Sequence, residues 1–157
     1  MAVRDFKNGK DYLVFIMKNS AYPTNSATPP LATNAGFKLM ACLNTNALSV
    51  TVDSIDTTTK CSDDWADSIP GNGSWEVSAD GVAVSPDTLT EVSADAIFDF
   101  TTLKEVVWVA IFNPTKSTYR VGVAYFSSFG ESFNNNESYS FSATLTGKGK
   151  LYRNSTT

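Results

Sequence analysis

Two runs near the end of the chain alternate between apolar and polar side chains. In residues 118–126 and in residues 138–146, every second side chain is apolar, beginning at Tyr119 and at Tyr139. Successive side chains of a strand point to opposite faces, so each run predicts a strand with one apolar and one polar face. Residues 127–137 between them are rich in Ser, Gly and Asn, which predicts a hairpin closed by a long connection.

The polar faces of these two runs are unusual in composition. The first run places Thr118, Arg120, Gly122 and Ala124 on its predicted polar face. The second run has only hydroxyl side chains there, and such a face fits either an ordinary exposed sheet or a wet surface that lines a channel or meets a partner. The hydroxyl positions are Ser138, Ser140, Ser142, Thr144 and Thr146.

Five further segments predict strands. Residues 12–17 and 106–112 are continuous apolar runs, which is typical of strands buried on both faces. Residues 37–43, 47–53 and 74–84 are shorter or alternating, and Gly81 in the last predicts a bulge or twist. The polar positions of the alternating segments are again small or acidic: Ser49, Thr51, Asp53, Glu76, Ser78 and Asp80.

These polar faces agree with one another. If the strands pair into one sheet, the hydroxyl and carboxyl positions, Thr118 included, are expected to form one smooth and mildly anionic surface. Arg120 is the single basic residue among them.

One segment, residues 93–104, predicts a helix. Ser93 can cap its start, Asp95 lies in the first turn and Lys104 lies near the end, and each placement suits the helix dipole. A strand through residues 97–102 is the alternative. The apolar residues at helical spacing are Ala96, Ile97, Phe100 and Leu103.

Two stretches break the strand pattern. Residues 18–36 contain Pro23, Pro29 and Pro30, and they predict either a disordered surface insertion or a loop that points outward or is ordered by a neighbour. Residues 54–73 predict a second irregular loop, because the Pro-Gly and Asn-Gly pairs near its end are turn signals. The string of elements favours one domain over residues 1–157: a mainly β fold, an antiparallel sandwich or small barrel with one flanking helix and long loops.

Composition excludes several classes of function. Charged residues make up 18% of the chain, a low share that fits a protein whose surface meets other protein. The net charge of −4 argues against a nucleic-acid binder, which usually has a basic face. No apolar run approaches the roughly 20 residues of a membrane helix, and we expect neither a membrane segment nor a signal peptide.

Histidine is absent, so the commonest general base and metal ligand are missing. No nucleotide-binding glycine motif is present, and nothing in the spacing of Asp and Glu selects the carboxylate pair of a glycosidase. Cys42 and Cys61 lack metal-ligand spacing and are expected to be free thiols. We therefore expect no enzymatic activity, no cofactor and no metal.

Three motifs occur in order along the chain. The first is N-G-K-D at residues 8–11, the second is I-P-G-N-G-S-W-E-V-S-A-D-G at residues 69–81 after Trp65, and the last is T-G-K-G-K-L at residues 146–151. In this order they resemble the major tail protein, or tail tube protein, of long-tailed bacteriophages. The 18–36 insertion departs from the shorter hairpin expected of that family.

The resemblance implies a structural virion protein. Six copies would form a ring, and stacked rings would form the tail tube through which DNA leaves the capsid. The implied partners are the protein itself, other tail proteins, and double-stranded DNA that passes without specific binding. The implied location is the virion tail, after synthesis in the cytoplasm of the bacterial host.

The resemblance also assigns roles to two sets of residues. The candidates for lining the lumen are Asp53, Glu76, Asp80, Ser138, Ser140, Ser142 and Thr144; the alternative is that the carboxylates are ordinary surface groups. The candidates for the subunit interface are Asp63, Asp64, Trp65, Ile69 and Pro70; the alternative for Trp65 is burial in its own core.

Two other functions stay open at the level of sequence. The tube of a contractile injection or secretion machine shares the expected architecture. A carbohydrate-binding or adhesin β-sandwich would use Tyr and Trp as stacking platforms for sugars. Most aromatic residues lie on predicted apolar faces, which argues against sugar binding.

Overall fold

The structure, a computed structural model, describes residues 12–18, 21–31, 34, 36–40, 43–61, 65–82, 91–113 and 118–155. In chain order, the described elements are β1 (Leu13–Lys18), β2 (Lys38–Met40), β3 (Leu43–Asp56), β4 (Ser68–Val82), β5 (Glu91–Val92), α1 (Ala94–Thr102), β6 (Val106–Phe112), β7 (Thr118–Ser132), β8 (Ser140–Gly147) and β9 (Tyr152–Ser155).

All the described strands belong to one open sheet. Its order is β3-β4-β8-β7-β6-β1-β2-β5, and the pairs are antiparallel except β2 with β5. The long strand β7 pairs with β6 along one edge. Along the other edge, the start of β7 pairs with β9 and its second half pairs with β8. The predicted fold class, mainly β with one flanking helix, is confirmed.

Helix α1 begins and ends with local capping interactions. The Ala96 amide donates to the Ser93 hydroxyl at 3.2 Å, as the capping prediction requires. At the other end, Lys104 has a φ of 56°, and the Glu105 amide donates to the Phe100 carbonyl at 3.0 Å. This Schellman-type end stops the helix at Thr102 and leaves Lys104 beyond it. The predicted helix is therefore confirmed in a shorter form, and the alternative strand at 97–102 is wrong.

The main core lies between α1 and one face of the sheet. Ile97 and Phe100 of the helix are buried there, and the Phe100 ring stacks on Phe126 of β7 at 5.9 Å. The sheet contributes apolar side chains from seven strands to this cluster: Val14, Ile16, Met40, Trp75, Val77, Ala79, Val92, Val107, Val109, Ala124, Phe126, Phe141, Ala143 and Leu145.

A second core lies on the opposite face of β1, β6 and β7. Trp108, Tyr119 and Val121 are buried in it. Residues 21–31 cover these side chains: the Trp108 indole N–H donates to the Pro23 carbonyl at 3.1 Å, and the Tyr22 ring lies edge-on to Trp108 at 6.0 Å. The described part of the 18–36 segment is thus packed against the sheet, unlike a disordered surface insertion.

The loop predicted at residues 54–73 is shorter than expected. β3 extends to Asp56 and β4 starts at Ser68, so the Pro-Gly and Asn-Gly pairs lie inside β4 and do not form turns. Pro70 is tolerated because β8 ends opposite Glu76, and this part of β4 has a described partner strand on one side only. The hairpin end that results, residues 50–73, projects beyond the core, and we call it the arm.

The prediction of β7 was wrong in length and in its faces. The strand continues to Ser132, and a register shift between Phe126 and Ser128 exchanges its two faces. Before the shift, Gly122 and Ala124 are buried on the main-core side, so the face predicted to be polar is in fact a core face. Thr118 lies on this same side and therefore away from the other hydroxyl positions. After the shift, Ser128 and Gly130 are exposed on the face opposite the main core. The chain beyond Gly147 does not prolong β8 but returns as β9.

Candidate lining surface and subunit edges

The polar positions of four neighbouring strands form one continuous surface. Asp80 is level with Thr45, Ser142 and Gly130, and Ser78 is level with Ala47, Thr144 and Ser128. This surface lies opposite the main core, and no residue on it is basic. We call it the hydroxyl face: Thr45, Ala47, Ser49, Glu76, Ser78, Asp80, Ser128, Gly130, Ser132, Ser140, Ser142, Thr144 and Thr146.

Small side chains and two carboxylates determine the chemistry of the hydroxyl face. Glu76 and Asp80 are exposed, and the Thr45 hydroxyl donates to the Asp80 carboxylate at 3.3 Å. Small polar groups leave the surface smooth, and the carboxylates give it a negative charge. Such a surface is suited to letting a polyanion pass, because it offers phosphate no cation.

The structure places the predicted lining residues in three settings. Five lie together on the hydroxyl face, where Glu76, Asp80 and Ser142 are exposed and Ser140 and Thr144 are half-buried. Asp53 is exposed on the arm, and Ser138 is exposed in the loop before β8. The sequence reasoning missed Ser128, Gly130 and Ser132 of β7. The available signal was the shift in the alternation of apolar and polar residues after the Ser127-Ser128 pair.

The described part of the arm carries three of the predicted interface residues. Trp65 has 82% of its surface exposed, so it does not pack in its own core, and Ile69 and Pro70 are also exposed. Asp63 and Asp64 lie outside the described residues. Further apolar side chains, Val50, Val52 and Ile55, are more than half exposed on the arm. A strand pair with this much uncovered apolar surface is suited to contact with another protein.

Two strand edges beside the hydroxyl face have no described strand partner. One is the outer edge of β3, which ends the sheet order. The other belongs to β7 from Phe126 onward, because β6 pairs with β7 only as far as Tyr125. Unpaired edges of this length expose backbone amides and carbonyls that another strand can satisfy.

A carboxylate and a phenol meet at the far end of β7. The Tyr139 hydroxyl donates to the Glu131 carboxylate, and the Phe133 ring stacks on Tyr139 at 4.9 Å. The hydrogen bond to Glu131 raises the pKa of Tyr139 to about 12, with smaller contributions from burial and from the charges of Glu131 and Asp95. This interaction joins the two ends of the 133–139 loop.

Neither a metal site nor a membrane helix is found in the part of the chain that the structure describes. No group of three or more Cys, Asp or Glu side chains there could hold a metal ion. The described helix is also too short to cross a bilayer.

Comparison with solved structures shows the same fold in tail tubes. The tail of an empty gene transfer agent particle, solved with C6 symmetry, is 20% identical over 94% of this chain and 98% of that chain, with a TM-score of 0.70. The SPP1 tail tube is 14% identical over 94% of this chain and 78% of that one, with a TM-score of 0.68. The PVC sheath–tube complex of an extracellular contractile injection system is 11% identical over 92% and 88%, with a TM-score of 0.56.

Comparison with curated protein sequences finds no significant match. A family model, however, covers nearly the whole chain. The fold and the free edges define a β-sheet subunit that associates with other chains. The chain belongs to the phage tail tube protein family, whose model matches residues 7–153. It is a structural subunit of a tail tube, as the sequence resemblance implied.

Proposed function

We propose that six copies of this protein close into a ring and that stacked rings form the tube of a phage-type tail. In this ring the outer edge of β3 in one copy pairs with the free edge of β7 in the next. The observation that carries the proposal is the hydroxyl face, which has the outer edge of β3 on one side and the free edge of β7 on the other. The number six follows the C6 symmetry of the related gene transfer agent tail.

The proposed ring has room for a DNA duplex. Each copy contributes four strands, β3, β4, β8 and β7, so that six copies give a barrel of 24 strands. With a strand spacing of about 4.8 Å and a tilt of about 40°, the backbone circle has a diameter of roughly 50 Å. Short Ser and Thr side chains narrow this bore only slightly.

The chemistry of the hydroxyl face supports passage without binding. A lumen lined with Lys and Arg would hold phosphate strongly. The carboxylates of Glu76 and Asp80, set among neutral hydroxyls, weakly repel the phosphates of the duplex from every side. The duplex can therefore slide along the lumen. The partners are then other copies, other tail proteins and transiting double-stranded DNA, and the protein is made in the bacterial cytoplasm before it joins the virion. It has no catalytic role.

Sedimentation and electron microscopy of the purified protein test this proposal. We expect rings or tubes that become more abundant as the protein concentration rises. A 17.0 kDa monomer that persists up to millimolar concentration would contradict the proposal.

The tube of a contractile injection machine is a second candidate. The similarity to the PVC sheath–tube complex favours it, since that tube carries a contractile sheath. The neighbouring genes separate the two: capsid and terminase genes indicate a phage tail, and a secretion locus indicates an injection machine.

A further inference from the structure

Two arginines lie opposite each other near the start of β7. Arg120 of β7 pairs in register with Arg153 of β9, and both side chains are exposed. Like charges directly opposite each other on a sheet are destabilising. Neither guanidinium forms an ion pair with a described residue. We call Arg120 and Arg153 the basic pair; it is a site without an anionic partner in its own described chain.

The end of the arm has the opposite charge. Asp53, Asp56 and Asp67 are exposed there, against a single described lysine, Lys60. The Thr58 amide donates to Asp56 at 2.8 Å, and hydrogen bonds from Thr58 lower the pKa of Asp56, so its carboxylate is ionised at neutral pH. From Val50 to Asp56 the arm extends roughly 20 Å at about 3.4 Å per residue.

The strand register places these opposite charges at matching positions along antiparallel strands of the sheet. Tyr125 of β7 is level with Ser49 of β3 across β8 and β4. Five residues toward the start of β7 lead to Arg120, and five residues toward the end of β3 lead to Ser54. Within one copy, however, β4 separates β3 from β8 and β9. The acidic end of the arm and the basic pair are therefore level but apart.

Ring closure would bring them together. This step rests on the proposed function: if β3 pairs with the free edge of the next β7, the arm continues antiparallel toward the start of that β7. There β6 occupies the strand edge, so the arm must cross a face of the neighbouring sheet. Residues 21–31 cover the face that carries Tyr119. Arg120 lies on the other face, the main-core side, and its side chain is exposed there.

We propose that the acidic end of the arm docks on the basic pair of the adjacent copy in the ring. Asp53, Asp56 and Asp67 of one copy then neutralise Arg120 and Arg153 of the next. The arm would be directed by charge onto one site of the neighbour, and its exposed apolar side chains would be covered in the same step.

A charge exchange in the full-length protein tests this docking. The first variant is the double substitution Arg120→Glu and Arg153→Glu, and the second is Asp53→Lys with Asp67→Lys, which leaves the Asp56 turn intact. We expect each to raise the protein concentration needed for assembly roughly tenfold at low salt. Copies that carry both pairs of substitutions should assemble nearly as well as the unaltered protein.

Asp99→Lys, on the exposed side of α1, is the matched control and should assemble normally. Circular dichroism checks that each variant is folded. If the unaltered protein forms tubes and the reversals have no effect, or if the exchange fails to restore assembly of folded protein, the docking is wrong while the tube function stands. If the unaltered protein forms no tubes at any concentration, the proposed function itself fails.

Discussion

At the scale of single residues, Trp75 joins three strands. Its indole N–H donates to the Gly149 carbonyl at 3.0 Å, and its ring lies where side chains at Gly122 and Gly147 would be. A Cβ at Gly147 would lie 2.2 Å from the ring, and one at Gly122 would lie 2.6 Å from it. These two glycines are needed for close approach, which ties β4 to β7 and to the end of β8.

Gly147→Ala should therefore destabilise the folded chain. Because the ring must move to admit the methyl group, we expect a loss of about 1–3 kcal/mol in the free energy of unfolding, measured with urea. Gly73→Ala is the control, since the nearest atom to its Cβ would be 4.0 Å away. Equal stability of the two variants would show that Trp75 does not require the glycine.

Tyr139 should titrate above the ordinary range of a phenol. The chain has six tyrosines, and the hydrogen bond to Glu131 raises the pKa of Tyr139 to about 12. Ultraviolet titration of the folded protein should show the Tyr139 phenol ionising near that pH, and Glu131→Gln should move its pKa back toward 10. Since the raised pKa favours the protonated form in the fold, its stabilisation is complete below pH 10 and is lost as the pH rises through 12. Identical titration curves for the two proteins would exclude the interaction.

At the scale of elements, local signals were readable from sequence and non-local ones were not. The start of α1 was predicted from Ser93 because a cap depends on neighbouring residues only. The length of the arm was not predicted, because Pro70-Gly71 and Asn72-Gly73 are turn signals that a two-stranded extension overrides. The bulge after Phe126 was missed for the same reason: it depends on pairing with β8. Hence the hydroxyl positions of β4 and β8 were predicted from the sequence, and those of β7 were not.

The Ser93 cap gives a prediction for this element. Ser93→Ala removes the acceptor of the Ala96 amide, and we expect a loss of about 1 kcal/mol in the free energy of unfolding. Ser93→Gly should cost only a few tenths of a kcal/mol, since glycine is tolerated at this position. Urea unfolding of both variants measures the difference, and an alanine variant as stable as the glycine variant would contradict the role of the cap.

At the scale of the whole molecule, one half of the sheet is covered on both faces, whereas the other half has an uncovered face and unpaired strand edges. Residues 21–31 cover the second core, while the hydroxyl face, the free edges and the arm have no covering in the described chain. The exposed apolar residues of the arm are costly in a lone monomer and are covered if copies associate. The composition indicated association, but only the structure shows where the open surfaces lie.

Trp65 tests the arm in assembly. Trp65→Ala should leave the monomer folded, because the side chain is 82% exposed. Truncating a tryptophan at an interface costs about 2 kcal/mol, so the concentration needed for assembly should rise roughly 30-fold in sedimentation. Trp65→Phe should keep most of the contact. Unchanged ring yield for the alanine variant would remove this residue from the interface.

The most direct test of the account is a cryo-EM reconstruction of tubes formed by the purified protein. We expect Glu76, Ser142 and Thr144 to face the bore, with β3 of each copy paired to β7 of the next. A reconstruction that places these side chains on the outside of the tube, or inside a contact between rings, would contradict the account.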